Sequence, residues 1–260
     1  MSVTAFLTDS TLCIGCKACE VACKEWNQLP SDGFDWKGFS YDNTGSLGHS
    51  SWRHVKFVEG GIVPGLGGNS PDNFSWGFSS DVCKHCEEAG CLEACPTGAI
   101  VRTEFGGVFI QPDVCNGCAY CVVSCPFGVV ERNPDDGRAF KCTFCYDRQK
   151  EGLQPACATA CPTESIKFGE IEGLRETAQL RMAKLQAEGF TDLHLYDPQE
   201  SSVGGIHAFF IVRGDPAKYN LPAQPEMPTT YLRKGWISAG IAAGLMLVGT
   251  LLAFGKGDIR

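Results

Sequence analysis

Cysteine is the residue type through which this chain can do chemistry, and 16 of its 260 residues are cysteine. They fall into four blocks. CIGCKACEVAC holds Cys13, Cys16, Cys19 and Cys23; CKHCEEAGCLEAC holds Cys83, Cys86, Cys91 and Cys95. CNGCAYCVVSC holds Cys115, Cys118, Cys121 and Cys125; CTFCYDRQKEGLQPACATAC holds Cys142, Cys145, Cys157 and Cys161. The blocks use every thiol. So dense a set serves a disulfide framework, structural zinc or iron–sulfur clusters. Disulfide-dense proteins are mostly small secreted domains, and this chain is longer than those. Its first residues, MSVTAFLTDS, show neither a basic segment nor a long apolar run, and the sequence holds no Arg-Arg pair, so no export signal of its own is expected. Zinc sites usually combine two Cys-x2-Cys pairs, or one such pair with a His pair. Consecutive blocks of a cysteine triplet plus one fit that badly.

Blocks one and three read C-x2-C-x2-C-x3-C; block two widens the middle gap to four residues and block four to eleven, and three of the blocks end in Cys-Pro. This is the ligand run of bacterial ferredoxins, whose fourth cysteine reaches a different cluster from the first three. The short gaps make the chain turn tightly around one cluster, and Gly15 and Gly117 allow the backbone angles this needs. The fourth cysteine is expected at the start of a helix, with proline at a first helical position. Four [4Fe–4S] clusters are expected. Cys13, Cys16 and Cys19 would hold one with Cys161, and Cys142, Cys145 and Cys157 one with Cys23. Cys83, Cys86 and Cys91 would hold one with Cys125, and Cys115, Cys118 and Cys121 one with Cys95. Exchange between blocks one and two, and between three and four, is the alternative; the 59 residues separating Cys23 from Cys83 make it less natural. His85 lies inside block two. Beside four cysteines it is not needed as a ligand and is read as a neighbour of the cluster or a surface residue.

The elements that must position these blocks are short. AIVRTEFGGVFI and GVVERNPDDGRAF place apolar runs on both sides of Gly106-Gly107 and Asp136-Gly137, which signals two hairpins. WRHVKFVE is a strand candidate in the Gly-, Ser- and aromatic-rich segment from Lys24 to Val82. Trp26, Trp36, Trp52 and Trp76 in or near it are read as packing residues, not electron relays. Ile171, Leu174, Ala178, Met182 and Leu185 recur at helical spacing and predict an amphipathic helix. GGIHAFFIVRG reads as a buried strand, with His207 a core or interface residue. RGDPAKYNLPAQPEMPTT reads as an extended Pro-rich linker. Trp236 to Phe254 is 19 residues without charge; at about 1.5 Å per residue it spans roughly 30 Å, the core of a bilayer. Arg233 and Lys234 precede it, and Lys256, Asp258 and Arg260 follow, so flanking charge does not orient it. Gly240 and Gly244 form a small-residue face for close helix packing.

The expected fold class is α+β: two bacterial-type dicluster ferredoxin units, one inserted in the other, plus one C-terminal transmembrane helix. Residues 1–23 with 139–169 form the first unit, 24–79 an insertion and 80–138 the second unit. Residues 170–212 form a helix-and-strand extension, 213–230 the linker and 231–260 the membrane anchor. A net charge of −8 argues against a nucleic-acid partner. No Ser/His/Asp order, phosphate loop or dinucleotide motif occurs, so no catalytic residue is assigned and the chemistry is one-electron transfer.

These blocks, with FKCTFC, QPACATACPTESIKFG and LYDPQESSVGGIH, resemble the four-cluster iron–sulfur β subunit of membrane-bound respiratory formate dehydrogenases, from about Thr8 to Pro222. The anchor extends the resemblance, which is weakest from Lys24 to Val82. The cysteine blocks alone occur also in electron-transfer subunits of polysulfide, nitrate and dimethyl sulfoxide reductases and of hydrogenases. In nitrate reductase β subunits one ligand is Trp; here all are cysteine. The resemblance implies a catalytic α subunit with a Mo or W bis-pterin site and a membrane cytochrome b γ subunit that passes electrons to quinone. It also implies a cluster domain on the outer, periplasmic face of the cytoplasmic membrane, exported with a signal-bearing partner, with a cytoplasmic-facing enzyme as the alternative, and a lipid bilayer around the anchor.

Overall fold

The computed structural model describes residues 2–33, 38, 41–61 and 74–255. Trp36, Lys256, Asp258 and Arg260 lie outside the described residues.

A four-stranded sheet brings distant parts of the chain together. Its order is Ile166–Glu170, Thr4–Asp9, Ala208–Arg213, Leu193–Tyr196. Thr4–Asp9 runs antiparallel to Ile166–Glu170, with Phe6 opposite Phe168, and parallel to Ala208–Arg213, with Phe6 opposite Ala208. Every residue of Ala208–Arg213 is buried, as the uninterrupted apolar run AFFIV requires of a central strand. The amphipathic helix forms over Ile171–Ala187 and packs on this sheet through Ile171, Leu174, Ala178 and Leu185. Glu170 caps it, its side chain accepting from Gly173 N–H at 2.9 Å. The residues expected as an extension after the last block thus share one sheet with the N-terminal strand.

The strand candidate WRHVKFVE forms within Arg53–Gly61 and pairs antiparallel with Phe74–Val82, from Arg53 opposite Val82 to Gly61 opposite Phe74. The second strand runs through the boundary expected at residue 79 and delivers Cys83 directly. Tyr41, Phe57, Trp76 and Phe78 form a ring cluster on this hairpin. Trp52 is buried, while Trp26 is half exposed, its indole N–H donating to Asp147 at 2.8 Å and Arg148 lying over its ring. Both expected small hairpins are present: Ile100–Arg102 with Val108–Ile110, and Glu131–Arg132 with Ala139–Phe140.

Two expectations are corrected. The fourth cysteine does not start a helix. Cys95, Cys125 and Cys161 follow the short helices Gly90–Glu93, Tyr120–Val123 and Ala156–Thr159, and Cys23 lies inside Ala18–Asn27. The third cysteine of each block sits in the helix instead. Pro96, Pro126 and Pro162 come just past the helix ends, because proline cannot donate to a continuing turn. Nor is 213–230 a free extended linker. It contains the 3-10 turns of Pro216–Tyr219 and, at its end, Pro228–Tyr231, and Tyr219, Leu221 and Met227 are buried. Tyr196 Oη donates to Pro222 O at 2.8 Å and Met227 N–H to Ser202 Oγ at 2.8 Å. Apolar side chains between the prolines give the segment surface to bury against the body.

The last helix, Leu232–Gly255, starts before the expected Trp236 and is long and apolar enough to cross a membrane. Residues 232–254 of it, Gly240 and Gly244 included, are all exposed.

Candidate iron–sulfur sites

One backbone device recurs in every block. The second residue after the first cysteine has a positive φ: Gly15 at 69°, His85 at 45°, Gly117 at 72° and Phe144 at 63°. This left-handed residue folds the next cysteine back toward the first. In blocks one and three glycine takes the position. A Cβ on Gly117 would meet the Gly137 carbonyl oxygen at 2.5 Å, and one on Gly15 the Phe78 ring at 3.0 Å. In blocks two and four a large residue takes it at about 1–2 kcal/mol of strain. His85 and Phe144 are both buried and pack on one another, ring centroids 4.3 Å apart, so burial offsets the strain.

The cysteines gather across blocks. Cys13, Cys16, Cys19 and Cys161 line one cavity, with Ser80 and Val55 in its wall. Cys83, Cys86, Cys91 and Cys125 line a second, with His85 and Val108. Burial, then the neighbouring Cys142, Cys157 and Cys145, push the Cys23 thiol up. Burial and the nearby Cys115, Cys118 and Cys95 raise Cys121 to about 11. Two quartets thus line cavities, each of three cysteines from one block and the fourth of another, and the electrostatic neighbours of Cys23 and Cys121 follow the same pattern. Electrostatic influence also runs between quartets: Cys157 acts on Cys19, Cys83 on Cys142, and Cys121 on Cys91. Cys16 and Cys118, at the two ends of that series, are exposed.

The donor sets fit a cluster with a volume of its own. Among the described residues no three His, Cys, Asp or Glu are close enough to hold a single ion, yet two quartets each enclose a cavity. Donors point at the sulfurs, as cluster thiolates require. Phe144 N–H donates to Cys142 Sγ at 3.3 Å, Ala139 N–H to Cys115 Sγ at 3.5 Å and Asn27 Nδ2 to Cys23 Sγ at 3.6 Å. His85 Nδ1 accepts from Val108 N–H at 3.0 Å, which leaves the proton on Nε2. That nitrogen is buried and has no partner among the described residues; since His85 lines the second cavity, a cluster held there would supply a sulfur acceptor. Burial pushes the Cys19 thiol up to about 12.

Buried cations accompany the quartets. Lys141 donates to Val108 O and, at 3.2 Å, to Cys142 O. Burial opposes its charge, but Cys83, Cys91 and Cys142 hold it above the ordinary lysine value. Lys84 is buried in an ion pair with Asp81. Arg53 donates through Nη2 to Cys157 Sγ at 3.4 Å. Sequence reading missed all three, and missed Phe144 and Ser80. A lysine immediately before Cys142, in FKC, and an arginine opening a strand that runs into the core were the available signals. His207 is a buried residue outside the quartets, with Nδ1 2.9 Å from Gly106 O and Nε2 2.9 Å from Glu87.

Two family models, each described as a 4Fe-4S dicluster domain, match residues 12–99 and 74–171. The chain is 40% identical over 254 residues to the formate dehydrogenase-O iron-sulfur subunit of Escherichia coli K12, covering 96% of this chain and 80% of the relative. It is 40% identical over 227 residues to the formate dehydrogenase iron-sulfur subunit of Haemophilus influenzae, covering 86% and 70%. An anaerobic dimethyl sulfoxide reductase polypeptide of E. coli K12 is 36% identical over 171 residues, covering 66% and 75%.

Proposed function

This chain belongs to the family of formate dehydrogenase iron-sulfur subunits, and we propose that it carries electrons between a formate-oxidising catalytic subunit and a membrane acceptor. The observation that carries the reading is the series of four quartets. The neighbouring pairs Cys19–Cys157, Cys142–Cys83 and Cys91–Cys121 support one line through the protein, entered near exposed Cys16 and left near exposed Cys118, or the reverse. [4Fe–4S] clusters, when bound, supply four one-electron carriers. The chain's own residues space them, exclude water and aim N–H groups at sulfur. Cys13, Cys16, Cys19 and Cys161 hold one cluster; Cys23, Cys142, Cys145 and Cys157 the next; Cys83, Cys86, Cys91 and Cys125 the third; Cys95, Cys115, Cys118 and Cys121 the last.

In this reading the unit of blocks two and three is inserted into the unit of blocks one and four. The partners are a Mo or W bis-pterin catalytic subunit and a membrane cytochrome b subunit. Leu232–Gly255, about 36 Å long at about 1.5 Å per residue, crosses the cytoplasmic membrane once, and the cluster domain faces the periplasm. The Gly240/Gly244 face packs against the cytochrome, since lipid alone gives apolar helices no reason to associate. The reductase relative covers a smaller share of this chain than the formate dehydrogenase relatives do, which favours formate.

Iron and acid-labile sulfide on anaerobically purified protein test the reading: about sixteen irons per chain are expected, and about twelve, or stoichiometric zinc, refutes it. Cys161→Ala is expected to disturb the cluster of Cys13, Cys16 and Cys19 and leave that of Cys142, Cys145 and Cys157. The opposite pattern overturns the exchange.

A further inference from the structure

Arg53 is 1% exposed. Its guanidinium stays protonated in any protein environment, so it is a fixed positive charge in the interior. Such a charge is unfavourable unless an anion faces it. The groups that chiefly favour its charge are Cys157, Cys19 and Cys142. Nη2 donates to Cys157 Sγ at 3.4 Å and Nη1 to Ser80 O at 3.3 Å, while the Phe6 ring lies 4.7 Å from Cζ. Nε is buried and has no hydrogen-bond partner among the described residues. The Ser80 hydroxyl is in turn 3.2 Å from Cys19 Sγ. One arginine thus touches a sulfur of the Cys23/Cys142/Cys145/Cys157 quartet directly and reaches Cys19 of the Cys13/Cys16/Cys19/Cys161 quartet through Ser80.

We propose that Arg53 is the shared counter-charge of these two clusters and raises the reduction potential of both, while Ser80 acts on the Cys19 side alone. The inference rests on the reading that both quartets hold clusters. Each cluster that takes up one electron gains one negative charge, and a nearby fixed cation stabilises that state over the oxidised one. Arg53 itself gains and loses nothing. It is a positioning residue for charge. It comes from the hairpin of Arg53–Gly61 and Phe74–Val82 rather than from a cysteine block, which gives that hairpin a task in electron transfer.

The test is a redox titration of the intact purified complex with dithionite, followed by electron paramagnetic resonance, with iron counted in parallel. For Arg53→Gln, about sixteen irons are retained, and two of the four potentials fall. At a fixed ambient potential their reduced-to-oxidised ratio drops tenfold or more, about 59 mV for a one-electron couple. The other two potentials stay. Ser80→Ala keeps the carbonyl that holds Arg53 and lowers one potential only. Four unchanged potentials at full iron content, or four equal shifts, overturn the proposal. If Arg53→Gln loses iron, Arg53→Lys decides: with the charge kept, both potentials stay within tenfold of wild type, and a larger fall at full iron content refutes a charge effect. If both variants lose iron, Ser80→Ala decides, and an unmoved set of potentials refutes the link to Cys19. A wild-type iron count near twelve would instead overturn the cluster assignment itself.

Discussion

The quartets of blocks two and three and those of blocks one and four use the same ligand chemistry, but the chain closes them differently. Cys83 to Cys125 is a short stretch, folded by the small hairpin of Ile100–Arg102 and Val108–Ile110, with Gln111 N–H donating to Ala99 O at 2.8 Å. Cys13 meets Cys161 only because strand Thr4–Asp9 lies beside Ile166–Glu170. Asp9 N–H donates to Ser165 O at 2.8 Å and Ser165 Oγ to Asp9 O at 2.7 Å, while Arg181 Nε reaches Asp9 Oδ2 at 2.9 Å. The quartets of blocks two and three, middle ones by sequence, are held by local turns, and those of blocks one and four, outer ones by sequence, by a sheet that also needs the segment after the last block. The difference teaches that identical cysteine spacing can rest on local chain geometry or on long-range packing, and that the two fail in different ways.

Phe6 gives the largest expected effect. It is buried between Phe144 and Phe168, centroids 5.1 Å from each, and under Arg53. Phe6→Ala is expected to cost about 3–5 kcal/mol, seen as a lowered Tm, with iron lost from the outer quartets first. Equal loss from all four would break the comparison. Gly117→Ala comes next. The left-handed angle alone costs about 1–2 kcal/mol, and the Gly137 carbonyl oxygen, 2.5 Å from the new Cβ, cannot move without opening the second small hairpin. Denaturant unfolding and iron content measure it, with the damage confined to the middle quartets. Gly15→Ala is milder, about 1–2 kcal/mol, because the atom met at 3.0 Å belongs to the Phe78 side chain, which can tilt; a loss equal to that of Gly117→Ala would remove the distinction between backbone and side-chain obstruction. Truncation after Thr230 is expected to leave Tm and iron content unchanged, since the helix is exposed along its described length and packs chiefly on the turn before it, and to abolish transfer to quinone while transfer to soluble dyes persists.

Much of this was legible without coordinates. Cysteine spacing and Cys-Pro endings identify cluster ligation because a thiolate triplet must wrap one small object. Gly106-Gly107 and Asp136-Gly137 mark hairpins because few other residues take those turns. The periodicity from Ile171 to Leu185 and the uncharged run to Phe254 report one-sided and all-round apolar surfaces. These are short-range facts, set by neighbours in sequence. Tertiary structure decided the rest. Only packing shows that His85 and Phe144 accept positive φ, because contact between their rings offsets a strain that propensity forbids. The burial of Tyr219, Leu221 and Met227 between prolines depends on a surface supplied by distant segments. Arg53, which reads as an ordinary polar residue at a strand start, becomes a buried charge because the hairpin register carries it to Ser80 and Cys157. Electrostatic environment is a sum over neighbours in space, and spacing along the chain does not contain it.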